Sequence, residues 1–120
     1  MALFHILDAA TWQRVQHDRE YRAASLDTEG FIHLSADRQW LATANRFFRG
    51  RSDLILLAIA PDKLAGEVRY EPADGDSFPH LYAPLNLDAV VEAHALPVAD
   101  DGTIGIPEEL APWRAYFQSR

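Results

Sequence analysis

Histidine is the residue type with which this sequence is best equipped to do chemistry, because imidazole can take up or release a proton near neutral pH. Three of the five histidines, His5, His33 and His80, lie in apolar runs, whereas His17 and His94 lie in more polar stretches. A single histidine in a strand is usually a half-buried structural residue. Three in similar surroundings indicate a shared functional surface.

The run 31–35 reads Phe-Ile-His-Leu-Ser and predicts a strand. Successive side chains of a strand point to opposite faces, so His33 and Ser35 share one face with Phe31, and Ile32 and Leu34 share the other. If Ile32 and Leu34 are buried, the polar pair lines a common surface. Functional residues are therefore predicted around this strand.

Carboxylates precede His80 in the sequence. Glu71 follows an aromatic residue at a predicted strand end, where a general base or an acceptor for a sugar hydroxyl could stand. Asp74 and Asp76 fit a solvated acidic loop. The candidate catalytic residues are accordingly His33, Glu71 and His80.

Three other kinds of site are poorly supported. A zinc site of three histidines lacks the short spacing that identifies such sites. A Ser-His-Asp hydrolase could draw on Ser25 or Ser35, but no Gly-x-Ser-x-Gly elbow is present. Glycine-rich phosphate loops are also missing, so a nucleotide would have to be held in another way. No metal is expected.

Length and composition predict one α+β domain over residues 1–120. The chain is 48% hydrophobic, which suffices for one core, and it has no cysteine, which fits a reducing cytoplasm. It has no signal-peptide pattern and no apolar run near the ~20 residues that span a bilayer. We expect a cytoplasmic protein without membrane contact.

The formal net charge of −7 argues against bulk nucleic-acid binding, which depends on lysine and arginine displacing counterions. Arg46, Arg49 and Arg51 form a local basic group, which is most simply a solvated helix end. A small molecule or nucleotide is the expected partner. The sequence does not determine the oligomeric state.

Periodicity and turn residues predict the elements. Strands are expected at 3–7, 31–35, 54–59, 68–71 and 89–96, with 54–59 as the central one, and helices at about 12–20, about 37–48 and 107–118. Asp8 or Thr11 should cap the first helix and Ser35 the second. The two prolines in 78–85 predict an edge strand or irregular chain, and 73–77 reads as a polar loop.

The sequence resembles domain-of-unknown-function family 952 over residues 3–96. The resemblance rests on segments spread along the chain: Phe4-His5-Ile6, Ser25-Leu26, the stretch 29–35, the stretch 44–48, Asp53-Leu54, Tyr70-Glu71 and the stretch 78–85. The family is grouped with ADP-ribosyltransferase-like folds, which include the NAD-using transferase that removes a 2′-phosphate from transfer RNA. The resemblance implies a mostly antiparallel central sheet flanked by about three helices.

The resemblance also implies roles for residues. His5 would contact the ribose of NAD, His33 with Ser35 would lie near the nicotinamide, and Glu71 or the His80 region would supply the third group. Further ligand-binding residues are predicted at Ser25, Asn45, Tyr82 and Asn86. The implied activity is ADP-ribosyl or 2′-phosphate transfer with NAD as substrate, and the alternative is a non-catalytic module that binds a small molecule or nucleotide in the same pocket.

Overall fold

The uninterrupted apolar run after Asp53 forms the central strand of a three-stranded antiparallel sheet. The computed structural model describes residues 2–118; the other three residues of the chain lie outside it. Strand β1 (Leu3–Asp8) and strand β8 (Val90–Ala95) pair on either side of β4 (Leu54–Ile59). The predicted central strand is confirmed.

Side chains of β4 alternate between two hydrophobic clusters. Leu57 and Ile59 lie in one cluster with Ile32 and Leu81, whereas Leu56 lies in the other with Trp40. All of them are at most 2% exposed. A strand buried on both faces carries an apolar residue at every position, which explains the sequence 54–59.

A second antiparallel sheet carries the histidine strand. Its order is β3 (Ile32–His33), β6 (Asp76–Leu81) and β5 (Val68–Ala73). The two sheets meet where Phe4 of β1 and Ser35 exchange two backbone hydrogen bonds of 2.8 Å. That seam brings β1 next to β3.

The prediction of an edge strand or irregular chain is wrong for residues 78–81. These residues belong to β6, which lies between β3 and β5 in the sheet. Pro79 has no N–H to give, but β3 pairs only as far as His33 opposite His80, and the Pro79 carbonyl still accepts a bond of 3.0 Å from Leu34 N. The short neighbour therefore makes proline tolerable inside the sheet.

The predicted polar loop 73–77 is a tight hairpin turn. Asp74 and Gly75 connect β5 to β6 with φ of 53° and 80°. Two consecutive residues with positive φ match the turn whose twist suits antiparallel strands.

The remaining elements are short. They are the helices α1 (Ala9–Val15), α2 (Ala24–Thr28), α3 (Trp40–Phe47) and α4 (Arg114–Phe117), the paired strands β2 (Glu20–Tyr21) and β7 (Leu85–Asn86), and 3₁₀ turns at Pro61–Lys63, Leu87–Ala89 and Glu108–Trp113.

The two predicted helix starts have different outcomes. Asp8 caps α1 and accepts a bond of 2.9 Å from Thr11 N, so the helix begins before residue 12. The helix ends at Val15 rather than near residue 20. Ser35 does not cap α3. Its backbone is engaged with β1, and Gln39 Oε1 instead accepts a bond of 2.8 Å from Ala36 N.

The C-terminal segment docks through one aromatic residue rather than three. Phe117 is buried against Phe4 and Trp40, with ring centroids 5.8 and 5.3 Å away. Trp113 and Tyr116, the other two aromatic residues of this segment, are 54% and 66% exposed and take no part in the docking. A short helix of four residues presents only one of its faces to the core.

The architecture is a compact α+β domain of antiparallel sheets with short helices, as the composition and periodicity predicted. Within residues 2–118 no helix has the length and apolar character needed to cross a membrane.

Candidate functional site

A pocket of about 400 Å³ lies at the seam between the two sheets and is closed on one side by α3. Its apolar wall comprises Phe4, Ile6, Leu34, Phe47, Phe48, Ala73 and Phe78. Its polar lining comprises His5, His33, Ser35, Thr43, Asp74 and His80. A mostly apolar concave wall with a few polar groups is typical of small-molecule sites.

His5 enters the pocket from β1 in a fixed orientation. Its Nδ1 lies 2.8 Å from the backbone carbonyl oxygen of His33, which can only accept, so Nδ1 carries the proton. Burial lowers the pKa of His5, more than the bond to His33 raises it. The imidazole is therefore neutral at pH 7, and its Nε2 holds a free lone pair.

His80 is oriented by a carboxylate on the neighbouring strand. Its Nδ1 lies 2.8 Å from Glu71 Oε1, and Tyr82 donates its hydroxyl to the same oxygen over 2.6 Å. The bonds from Tyr82 and His80 hold the pKa of Glu71 below its usual value. With Nδ1 bonded to this carboxylate, Nε2 is the ring nitrogen that can contact a ligand.

His33 lies opposite His80 across the β3–β6 pair, with ring centroids 5.4 Å apart. The His33 ring is half exposed, and its Nε2 lies 3.1 Å from Glu29 Oε2. Phe31 stacks on His80, with centroids 4.0 Å apart and planes 14° apart. The aromatic packing keeps the His80 ring in one plane.

The structure brings His5, His33, Ser35 and His80 to one pocket. Ile32 and Leu34 are buried as predicted, but the strand itself covers only Ile32–His33. Ser35 is buried as well and Leu34 also lines the pocket, so the predicted alternation does not extend to Ser35. Glu71 and Tyr82 stand behind His80 rather than in the pocket wall.

Three of the predicted ligand-binding residues lie elsewhere and make structural bonds. Ser25 donates to the Phe31 carbonyl over 2.8 Å. Asn45 bonds the backbone of Ile104 in both directions, at 2.8 and 2.9 Å. Asn86 accepts from Ala65 N over 3.0 Å. None of the three lines the pocket.

The helix α3 supplies pocket residues that sequence reasoning missed. Phe47 is 60% exposed at the pocket, and Thr43 lies one helical turn before it. The i, i+4 spacing of these two residues is the signal that could have placed them on one face. Asp74 was read as solvated loop but lines the pocket from the hairpin turn.

Within residues 2–118 no group of three or more histidine or carboxylate side chains is arranged to hold a metal ion. Each pocket histidine instead bonds one of its ring nitrogens to a neighbouring oxygen. His5 bonds the His33 carbonyl, His33 bonds Glu29, and His80 bonds Glu71. The chemistry open to such an arrangement is hydrogen bonding and the exchange of protons at imidazole nitrogens.

One family model matches most of the chain. The model of DUF952, described as a protein of unknown function, matches residues 6–93. No curated protein matches the chain.

Solved structures of protein CC0527 from Caulobacter crescentus are similar to this fold. Its crystal structure is 32% identical with a TM-score of 0.81, covering 96% of this chain and 99% of that one. Its solution NMR structure is 33% identical with a TM-score of 0.74, covering 91% and 93%. Their descriptions name no ligand or activity.

Proposed function

The chain belongs to the DUF952 family of proteins of unknown function, and we propose that its histidine pocket binds NAD or an NAD derivative. The observation that carries the proposal is the convergence of His5, His33 and His80, from three strands, on one pocket. The ADP-ribosyltransferase-like assignment of the fold is part of the same proposal. It supplies the expectation that such a pocket holds the nicotinamide and its ribose.

The tautomers of two histidines favour a ligand that donates hydrogen bonds. His5 carries its ring proton on Nδ1, and neutral His80 also carries its proton on Nδ1 when it donates to Glu71. Each Nε2 is then an acceptor. A ribose offers two neighbouring hydroxyls as donors, and a carboxamide offers an N–H₂ group, so both halves of nicotinamide riboside have the matching chemistry.

The apolar wall favours a planar ring beside those two acceptor nitrogens. Phe47, Phe48 and Phe78 give aromatic side chains for contact with a heterocycle. A volume of about 400 Å³ lies within the usual range of small-ligand sites. The pocket therefore suits a nucleoside-sized group better than a simple ion.

The paired Glu71 and His80 favour a second step, transfer of the ADP-ribosyl group. In such a transfer the bond between ribose C1′ and nicotinamide N1 breaks, nicotinamide leaves with the electron pair, and an acceptor hydroxyl bonds to C1′. His80 Nε2 would take the proton of that hydroxyl, and the carboxylate of Glu71 would stabilise the imidazolium that results. Without this step the protein is a binding module with the same pocket.

A thermal-shift screen with NAD, ADP-ribose and nicotinamide riboside tests the binding. We expect a ligand-dependent rise in Tm that His33→Ala and His80→Gln reduce. His17→Ala is the matched control, because His17 is exposed and lies outside the pocket. If none of the three ligands raises Tm at millimolar concentration, the proposal fails.

Release of nicotinamide from NAD tests the transfer step. We expect slow release by the wild-type protein, lost in His80→Gln and weakened in Glu71→Gln. Binding without release would identify the protein as a binding module.

A further inference from the structure

A second cavity of about 190 Å³ adjoins the histidine pocket. The two cavities share Thr43, Phe47, Asp74 and Phe78 in their linings, so they lie next to each other along α3. Together they are called the cleft. The smaller cavity adds two arginines, Arg38 and Arg46. A ligand seated among the histidines would meet these cations if it extended past Phe47 and Phe78.

The two arginines differ in how firmly they are held. Arg38 makes two bonds to the carboxylate of Asp76, of 2.7 and 3.1 Å, and Gln39 donates to the same carboxylate over 2.9 Å. Arg46 makes one ion-pair contact of 3.2 Å with Asp74, and both side chains are about half exposed. Its guanidinium also lies 5.2 Å from the centroid of the Phe47 ring, a contact that uses none of its N–H donors. Most of the five N–H donors of Arg46 are therefore available to a ligand.

We infer that Arg46 binds a phosphate or diphosphate group of the ligand, which would then be a nucleotide rather than a free nucleoside. The inference deepens the proposed function and rests on it for the nucleoside part. A phosphate can accept two parallel bonds from one guanidinium, whereas Asp74 takes only one contact at present. An exposed ion pair contributes little, so a doubly charged group displaces Asp74 readily.

The position of Asp74 allows Arg46 to exchange this carboxylate for a phosphate group of the ligand. Asp74 lies in the hairpin turn with φ of 53°, at the border that the two cavities share. Releasing Arg46 from it leaves the turn in place, because both β5 and β6 continue to pair up to Ala73 and Asp76. Asp74 would act as the stand-in for the anion when the cleft is empty.

Inorganic pyrophosphate tests the arginine site independently of the nucleoside. Titrated into ¹⁵N-labelled protein at constant ionic strength, it should shift the amide signals of Phe47 and Gly75. Arg46→Gln should weaken this binding about tenfold. Asp74→Asn should strengthen it, since asparagine tolerates the positive φ and removes the competing charge.

Arg22→Gln is the matched control, because Arg22 forms a similar exposed pair with Asp27 outside both cavities. It should leave the affinity for pyrophosphate unchanged. The inference is overturned if pyrophosphate does not bind, or if Arg46→Gln and Arg22→Gln give the same affinity.

Parallel titrations with NAD and nicotinamide riboside separate the two claims. NAD binding tighter than nicotinamide riboside binding, with the advantage lost in Arg46→Gln, supports both. Equal affinities for NAD and nicotinamide riboside would refute the phosphate contact but would not contradict the proposed function. Binding of pyrophosphate through Arg46, with no binding of nicotinamide riboside, would keep the anion site and refute the nucleoside pocket.

Discussion

The hydrogen-bond partners of each imidazole determine what that residue can do. His5 donates a hydrogen bond from Nδ1 to a backbone carbonyl and is buried, so the ring stays neutral and Nε2 offers a lone pair. His94 lies between two carboxylates, with Glu92 Oε1 2.8 Å from one nitrogen and Glu109 Oε2 3.0 Å from the other. Both nitrogens must donate there, which requires the charged form.

The tautomer of His5 is a prediction at this scale. At pH 7 long-range ¹H–¹⁵N spectra should show Nδ1 protonated and Nε2 unprotonated, because the His33 carbonyl only accepts. The exposed ring of His17 is the reference. A protonated Nε2 would refute the acceptor role that we assign to His5.

His94 should make stability depend on pH. Burial alone lowers its pKa, but the bonds to Glu92 and Glu109 outweigh burial and the pKa is raised above 6.5. The contribution of charged His94 is then complete below pH 6.5 and is lost as pH rises through the folded-state pKa. At the acid end, the pKa of Glu109 is lowered below 4.5, so the pair persists down to that range.

Urea unfolding of the wild type and His94→Gln at several pH values measures this effect. The difference in unfolding free energy should be largest below pH 6.5, at roughly 0.5 kcal/mol because both carboxylates are exposed, and should shrink as pH rises through the raised pKa of His94. A difference that grows with pH would contradict the assignment.

At the scale of elements, the local sequence pattern correctly predicted the strands and caps that depend mainly on neighbouring residues. The strand at the apolar run 54–59, the strand at 90–95 and the Asp8 cap all appear as expected. The errors arose where a distant partner decides. Pro79 is accommodated because β3 stops pairing, and Ser35 is drawn to Phe4 rather than to α3.

The pairing of His33 with His80 joins residues far apart in sequence, and no local signal fixes that register. The sequence therefore identified the pocket histidines by residue type and surroundings, and left their convergence to be seen in the structure. Asn45 and Asn86 show the converse. Their polar side chains satisfy backbone groups of distant loops, which residue type alone does not distinguish from ligand contacts.

The hairpin turn gives a prediction for elements. Gly75→Ala should cost about 1 kcal/mol of stability, because alanine is strained at φ of 80° although a Cβ there meets no atom within 4 Å. Gly105→Ala is the control: its φ is ordinary and its nearest contact is 3.7 Å away. Equal effects in urea unfolding would show that backbone conformation is not the cause.

At the scale of the whole molecule, β4 separates two cores and the pocket lies where the two sheets join. Leu56 and Leu57 are both fully buried but face different clusters. Phe4 and Ser35 form the backbone bridge at this seam, and both residues line the pocket.

Truncation of the central strand tests this double burial. Leu56→Ala and Leu57→Ala should each cost about 2–5 kcal/mol, since each leaves a cavity in a packed core. Val91→Ala, at an exposed strand position, should cost far less. If either leucine variant were as mild as Val91→Ala in chemical unfolding, that side of the sheet would not be a core.

Calorimetric titration with NAD tests the central claim most directly. We predict saturable binding at one site, weakened at least about tenfold by His80→Gln, which removes the imidazole that Glu71 orients, and unchanged by His17→Gln. Absence of binding at millimolar NAD, or equal affinity in the wild type and His80→Gln, would contradict the account.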